Sequence, residues 1–65
     1  MKITLNGKAH NSAADTLSAL LDECGYGDRP VATALNEEFV PAPDRAAQKL
    51  QDGDRVEVVA PMQGG

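Results

Sequence analysis

One stretch of this 65-residue chain repeats its apolar residues at helical spacing, while the segments on either side alternate. Leu17, Leu20, Leu21 and Cys24 fall at i, i+3, i+4 and i+7, which places them on one face of a helix. A short amphipathic helix is held mainly by packing, so it must lie against something flat. A chain this short has room for one core only, and it buries only about 60% of the surface its unfolded form exposes. One helix crossing one face of a sheet is the economical way to bury the three leucines.

The alternating segments supply that sheet. In KITLNGKAHN, Ile3 and Leu5 point one way and Lys2 and Thr4 the other. Asn6-Gly7 offers the two positive-φ positions of a type I′ turn, so Lys8 to Asn11 returns as a second strand. Asp15 or Thr16 caps the helix that follows, and Gly25 and Gly27 stop it. Next, Val31, Thr33 and Leu35 face one side of a strand and Ala32 and Ala34 the other. Asn36 and Glu37 read as a turn into a short strand at Phe39-Val40. Pro41 and Pro43 cut that strand off, which assigns it to an edge. DRAAQKL predicts one helical turn or a 3₁₀ segment, with Leu50 tucked beneath the domain. A turn at Asp52 to Asp54 leads into the last strand, where Val56 and Val58 oppose Arg55 and Glu57. The expected fold is α+β, a β-grasp (ubiquitin-like) domain over residues 1–61. In it a mixed sheet of four to five strands packs on one helix, the last strand lies beside the first, and residues 62–65 form a flexible C-terminal tail.

Charge and composition remove several functions. Ten acidic residues outnumber six basic ones, and the basic residues are scattered, so no face offers a nucleic-acid backbone a positive footprint. Tyr26 and Phe39 are the whole aromatic complement, too few for a base-stacking platform. No apolar run approaches the roughly 20 residues of a membrane span. MKITLNGK is not a secretory leader, and a single cysteine forms no internal disulfide, so a cytoplasmic location is expected. His10 has no second ligand at a metal-binding spacing, and no carboxylate pair or triad is apparent, which predicts neither a metal site nor catalytic residues.

Interest therefore moves to the end, VVAPMQGG. The plain reading of terminal residues is a frayed end. The other reading rests on glycine: without Cβ, Gly64 and Gly65 make a thin arm. Fully extended, Met62 to Gly65 reach about 13–14 Å, enough to set a carboxylate inside a partner's narrow channel. A carboxylate is a poor electrophile until it is converted to an acyl-adenylate, after which a sulfur or nitrogen nucleophile takes the acyl group. The chemistry of such a chain would sit on Gly65, with Gly64 and Gln63 as the arm.

The opening MKITLNGK, the TLSALL helix, VATALNEEFVP and the ending LQDGDRVEVVAPMQGG together resemble the ThiS/MoaD family of ubiquitin-like sulfur carriers over the whole chain. LNEEFVP followed by DGDRVEVV before Gly-Gly carries most of that resemblance. The length favours the ThiS side, which serves thiamine biosynthesis, over the MoaD side, the small subunit of molybdopterin synthase. The resemblance implies a protein co-substrate rather than an enzyme, with no cofactor of its own. An E1-like adenylyltransferase (ThiF-type) would use ATP to adenylate Gly65. A cysteine-desulfurase persulfide relay would convert the carboxylate to a thiocarboxylate, and a thiazole synthase (ThiG-type) would receive the sulfur. The alternatives are a MoaD-like carrier, a ubiquitin-like modifier that forms isopeptide bonds through Gly65, and a β-grasp binding module with an idle tail.

Two placements are open for Phe39 and Val59. They belong either to the core or, with Met62, to a patch on the open sheet face that a partner grips. Cys24 completes the helical stripe and reads as a packed thiol rather than a sulfur-bearing nucleophile. His10, on a polar strand, is expected to be solvated.

Overall fold

The computed structural model describes residues 1–27 and 29–60. Strands β1 (Lys2–Leu5) and β2 (Lys8–Asn11) form an antiparallel hairpin in which Leu5 faces Lys8 and Ile3 faces His10. The two residues between them, Asn6 and Gly7, have φ of 50° and 82°, the positive pair that a type I′ turn requires. Asn6 also extends the sheet. Its backbone N–H donates to the Val56 carbonyl at 2.9 Å. Its side-chain Oδ1 accepts from the Val58 N–H at 2.8 Å, and its Nδ2 donates to the Val58 carbonyl at 3.2 Å. The side-chain amide thus replaces the peptide that β1 would have offered had the main chain not turned away.

The helix α1 (Leu17–Glu23) begins at Thr16, whose Oγ1 accepts from the Ala19 N–H at 3.1 Å, so threonine is the cap of the two candidates. It ends in a Schellman motif: Tyr26 N–H donates to Leu21 C=O at 2.8 Å and Gly25 N–H to Asp22 C=O at 3.2 Å. Gly25 carries the φ of 85° that this closure needs. Leu17 and Leu20 are fully buried, Leu21 nearly so, and Cys24 packs at the margin.

Strands β3 (Ala32–Leu35) and β4 (Glu38–Val40) make a second hairpin, and β5 (Arg55–Val59) runs between the two. The sheet order is β2-β1-β5-β3-β4, with β5 parallel to β1 and antiparallel to β3. The last strand therefore lies beside the first, at the centre, and β4 is an edge. This is the mixed five-stranded β-grasp arrangement with one helix on one face. Ile3, Val40, Leu50, Val56 and Val58 meet the helical leucines in the core.

The short helical segment lies earlier than DRAAQKL suggests. A 3₁₀ turn occupies Ala42–Asp44, and i→i+3 bonds continue to Gln48. Pro43 explains the shift, because its fixed φ suits the first turn and its missing N–H costs nothing there. The segment is fastened by Arg45, which donates from Nε to Thr33 Oγ1 at 3.0 Å and from Nη2 to the Val31 carbonyl at 2.5 Å. Thr33 Oγ1 donates in turn to the Val40 carbonyl at 2.8 Å, which satisfies a hydroxyl buried in the core.

The second turn is strained where the first is not. Asn36 and Glu37 have φ of 50° and 72°, and Glu37 occupies a position that suits glycine. Its carboxylate pairs with Arg55 at 3.3 Å, but both side chains are well exposed, so the pair contributes little. Glu37→Gly is expected to stabilise the fold by about 0.5–1 kcal/mol, read as a higher urea midpoint at unchanged m. A lower midpoint would show that the ion pair outweighs the backbone strain.

Candidate functional site

The helix covers one face of the sheet and leaves the other open. Because β4 pairs with β3 and β3 with β5, Phe39, Ala34 and Glu57 stand in one row across that open face, and Ala32 and Val59 in the next. Phe39 is 69% exposed and Val59 62%, the two largest exposed apolar side chains of these strands. The alanines between them leave a shallow hollow of about 180 Å³, lined by Ala32, Thr33, Ala34, Phe39, Glu57 and Val59. A second hollow of about 360 Å³ continues from Val59 over Pro30 and Val31. The surface is apolar, with one carboxylate, Glu57, inside its outline. Of the two placements open for Phe39 and Val59, the structure has the exposed one. Met62, the third residue expected there, lies outside the described residues, as do Gln63, Gly64 and Gly65.

The patch lies at the end of β5 that leads toward the tail, since Val59 is the last residue of the strand. The six residues from Ala60 to Gly65 could span at most about 20 Å. A partner seated on Phe39 and Val59 is thus within reach of Gly65. Ala32 and Ala34 are the residues of this surface that sequence reasoning misses; Glu57 is legible there only as an acidic group able to steer a basic partner. Their alternation against Thr33, Val56 and Val58 was the available signal.

His10 is placed differently from expectation. It is half-buried, with Nε2 3.7 Å from Cys24 Sγ and 3.7 Å from Glu23 Oε2. Its register opposite Ile3 turns it toward the helix side, where it covers the end of α1. Glu23 is fixed there by Ser12 Oγ, 2.8 Å from Oε2, and by the Ala13 N–H, 3.2 Å from Oε1. The Ser12 hydroxyl, with the Ala13 amide and His10 adding to it, holds the Glu23 carboxyl below the usual range against the opposing effect of burial. Burial, with Glu23 beside it, pushes the Cys24 thiol up. Cys24 is therefore a protonated, packed thiol.

A carboxyl whose folded pKa is depressed stabilises the fold above its unfolded value, and that stability is lost as pH falls through the folded one. Glu23→Gln is expected to lower the thermal midpoint near neutral pH, with the gap to wild type closing below the ordinary glutamate range of about 4.3. Melting curves of both proteins from about pH 7 to pH 3 test this, and a pH-independent gap would refute it.

No helix among the described residues is long and apolar enough to cross a membrane. A sequence profile of the ThiS family matches residues 3–65. The sulfur carrier protein ThiS of Thermus thermophilus is 46% identical, covering 97% of this chain and 98% of that protein. The thiazole synthase of Paramagnetospirillum magneticum is 44% identical over the full length of this chain, which spans only 20% of that protein. Among solved structures, the crystal structure of the thiamine biosynthesis protein ThiS from Geobacter metallireducens superposes with a TM-score of 0.84 at 30% identity, covering all of both chains.

Proposed function

The chain belongs to the ThiS family, and from that premise we propose that it carries sulfur for thiamine biosynthesis on the carboxylate of Gly65. The observation that supports this most is the match to a curated sulfur carrier over nearly the whole of both chains. In the proposed cycle an E1-like adenylyltransferase joins the Gly65 carboxylate to the α-phosphorus of ATP and releases pyrophosphate. The terminal sulfur of a persulfide, supplied by a cysteine desulfurase, displaces AMP and leaves an acyl disulfide. A thiol then attacks the donor cysteine's own sulfur, forming a disulfide with it and leaving the transferred sulfur on Gly65 as a thiocarboxylate. A thiazole synthase is the acceptor, a pairing supported by relatives of that name in which the matching segment is about a fifth of a longer protein. The chain itself is the co-substrate, and ATP belongs to the partner.

The exposed patch suits this role. An apolar surface with small residues between Phe39 and Val59 lets a partner approach the backbone closely. The net charge of -4 steers a basic partner surface toward it. Phe39→Asp is expected to leave stability nearly unchanged and to weaken partner binding by about 2 kcal/mol, roughly 30-fold. Titration of the adenylyltransferase by calorimetry measures it, and unaltered affinity would remove Phe39 from the interface.

The test of the function itself is intact mass spectrometry after incubation with an E1-like adenylyltransferase, ATP and a persulfide donor. The expected result is a mass gain equal to exchanging one oxygen for sulfur, located by fragmentation to Gly65. Isopeptide-linked Gly65 on other proteins, with no sulfur gained, would overturn the reading in favour of a modifier.

A further inference from the structure

We propose that the hollow between Phe39 and Glu57 is the seat of one arginine side chain of the adenylyltransferase, the partner that loads Gly65 in the proposed cycle. The inference rests on the sulfur-carrier reading for the identity of that partner, and deepens it by naming the contact that tells one partner surface from another. Glu57 on β5 lies opposite Ala34 on β3, and Ala34 lies opposite Phe39 on β4. Neighbouring strands are about 4.8 Å apart, so the carboxylate-bearing and ring-bearing positions stand about 10 Å from each other. Between them the floor rises no higher than the methyl group of Ala34, and the hollow holds about 180 Å³.

The lining selects the occupant. A cation is attracted to an aromatic ring within about 6 Å of its centroid, and a charge-assisted hydrogen bond to a carboxylate oxygen is about 2.8 Å long. The gap between Phe39 and Glu57 accommodates both contacts at once. Ala32 and Val59 complete an apolar lining that suits a methylene stem. Arginine meets all three demands, because its flat guanidinium stacks on a ring and offers a fork to a carboxylate, whereas the lysine ammonium is a more strongly hydrated point charge. Glu57 has no cation of its own chain: among the described residues the ion pairs are His10–Glu23 and Arg55–Glu37. Arg55, two residues earlier on the same strand, lies 3.3 Å from the Glu37 carboxylate instead.

Phe39 and Val59 supply area that many apolar surfaces could cover, so they favour docking without choosing the partner. Glu57 chooses. A surface that covers the patch without a cation strips water from the carboxylate and leaves it unpaired, and a surface that brings an acidic group adds like-charge repulsion. An arginine placed over Ala34 satisfies the carboxylate, and its position at the base of the tail fixes the register of the partner on β5.

The experiment titrates the adenylyltransferase with the full chain, with Glu57→Gln and with Phe39→Leu, by calorimetry at low and high salt. Glu57→Gln is expected to bind about 30-fold more weakly and to lose part of the salt dependence. Phe39→Leu keeps the apolar area but not the ring quadrupole, and is expected to bind about 5-fold more weakly. Urea midpoints confirm that both variants fold. An arginine-selective dicarbonyl footprint of the enzyme, read by peptide mass spectrometry, is expected to show one arginine protected in the wild-type complex. Replacing that arginine by glutamine should weaken binding as Glu57→Gln does, and combining the two changes should cost no more than either alone. Equal affinity in Glu57→Gln, the lack of a protected arginine, losses that simply add, or a wild-type chain that does not bind the enzyme would each overturn the proposal. Sulfur uptake by the wild type is read separately from its intact mass. Binding without sulfur uptake would remove the carrier reading and leave the Glu57 contact standing, while sulfur uptake with full-strength binding by Glu57→Gln would do the reverse.

Discussion

A chain extended by one residue beyond Gly65 is expected to fold as the native chain does and to accept no sulfur. The extension converts the Gly65 carboxylate into a peptide carbonyl. Its oxygen no longer attacks the α-phosphorus of ATP, so no acyl-adenylate forms and the persulfide has no leaving group to displace. The residues that form the sheet and core are untouched, because the last strand ends at Val59 with its ladder to Ala32 complete. Stability should stay within about 0.5 kcal/mol of native, as for surface changes generally. Two measurements on one sample separate the outcomes: a urea midpoint for the fold, and an intact mass after reaction for the sulfur. A native midpoint with loss of all sulfur uptake is the expected pair. Sulfur acquired by the extended chain would place the chemistry somewhere other than Gly65.

The second large effect is on the fold. Leu20 is fully buried at the centre of the helical stripe, and Leu20→Ala is expected to cost about 3–5 kcal/mol through lost burial and the cavity left behind. A domain of this size holds roughly 3–10 kcal/mol in all, so the variant should be partly or wholly unfolded at 25 °C. No disulfide compensates, since Cys24 is free. Collapse of amide dispersion in a ¹H–¹⁵N spectrum, or a urea midpoint near zero, is the expected reading. A loss below about 1 kcal/mol would mean that the core repacks around the gap. Phe39→Ala provides the contrast: it removes a larger side chain, from the open face of the sheet, with little loss, because 69% of Phe39 already faces water.

What could be read without coordinates was what local pattern encodes. The leucine stripe, the Asn6-Gly7 turn and the alternation of β5 each need fewer than ten neighbouring residues, and each holds in the structure. The placement of Phe39 could not be read this way. A three-residue strand is too short for alternation to fix its face, and the register Ala34↔Phe39 decides it. Arg45 reaching Thr33, and the Asn6 amide bonding to Val58, join residues far apart in the chain and leave no trace in a local window. His10 was misread because its environment is made by α1, which alternation within β2 does not register. For the tail, glycine pattern and resemblance supplied the chemical expectation, while the surface beside it emerged only from strand register.

The position of β5 has a consequence for synthesis. A ribosome makes both hairpins and the helix before it makes the strand that belongs between the hairpins. Until Arg55–Val59 has emerged, β1 and β3 have no common neighbour, and the leucines of α1 face half a sheet on either side of a gap. The nascent domain is thus kept open until β5 emerges, and the segment that finally closes it is the one that leads directly into the tail.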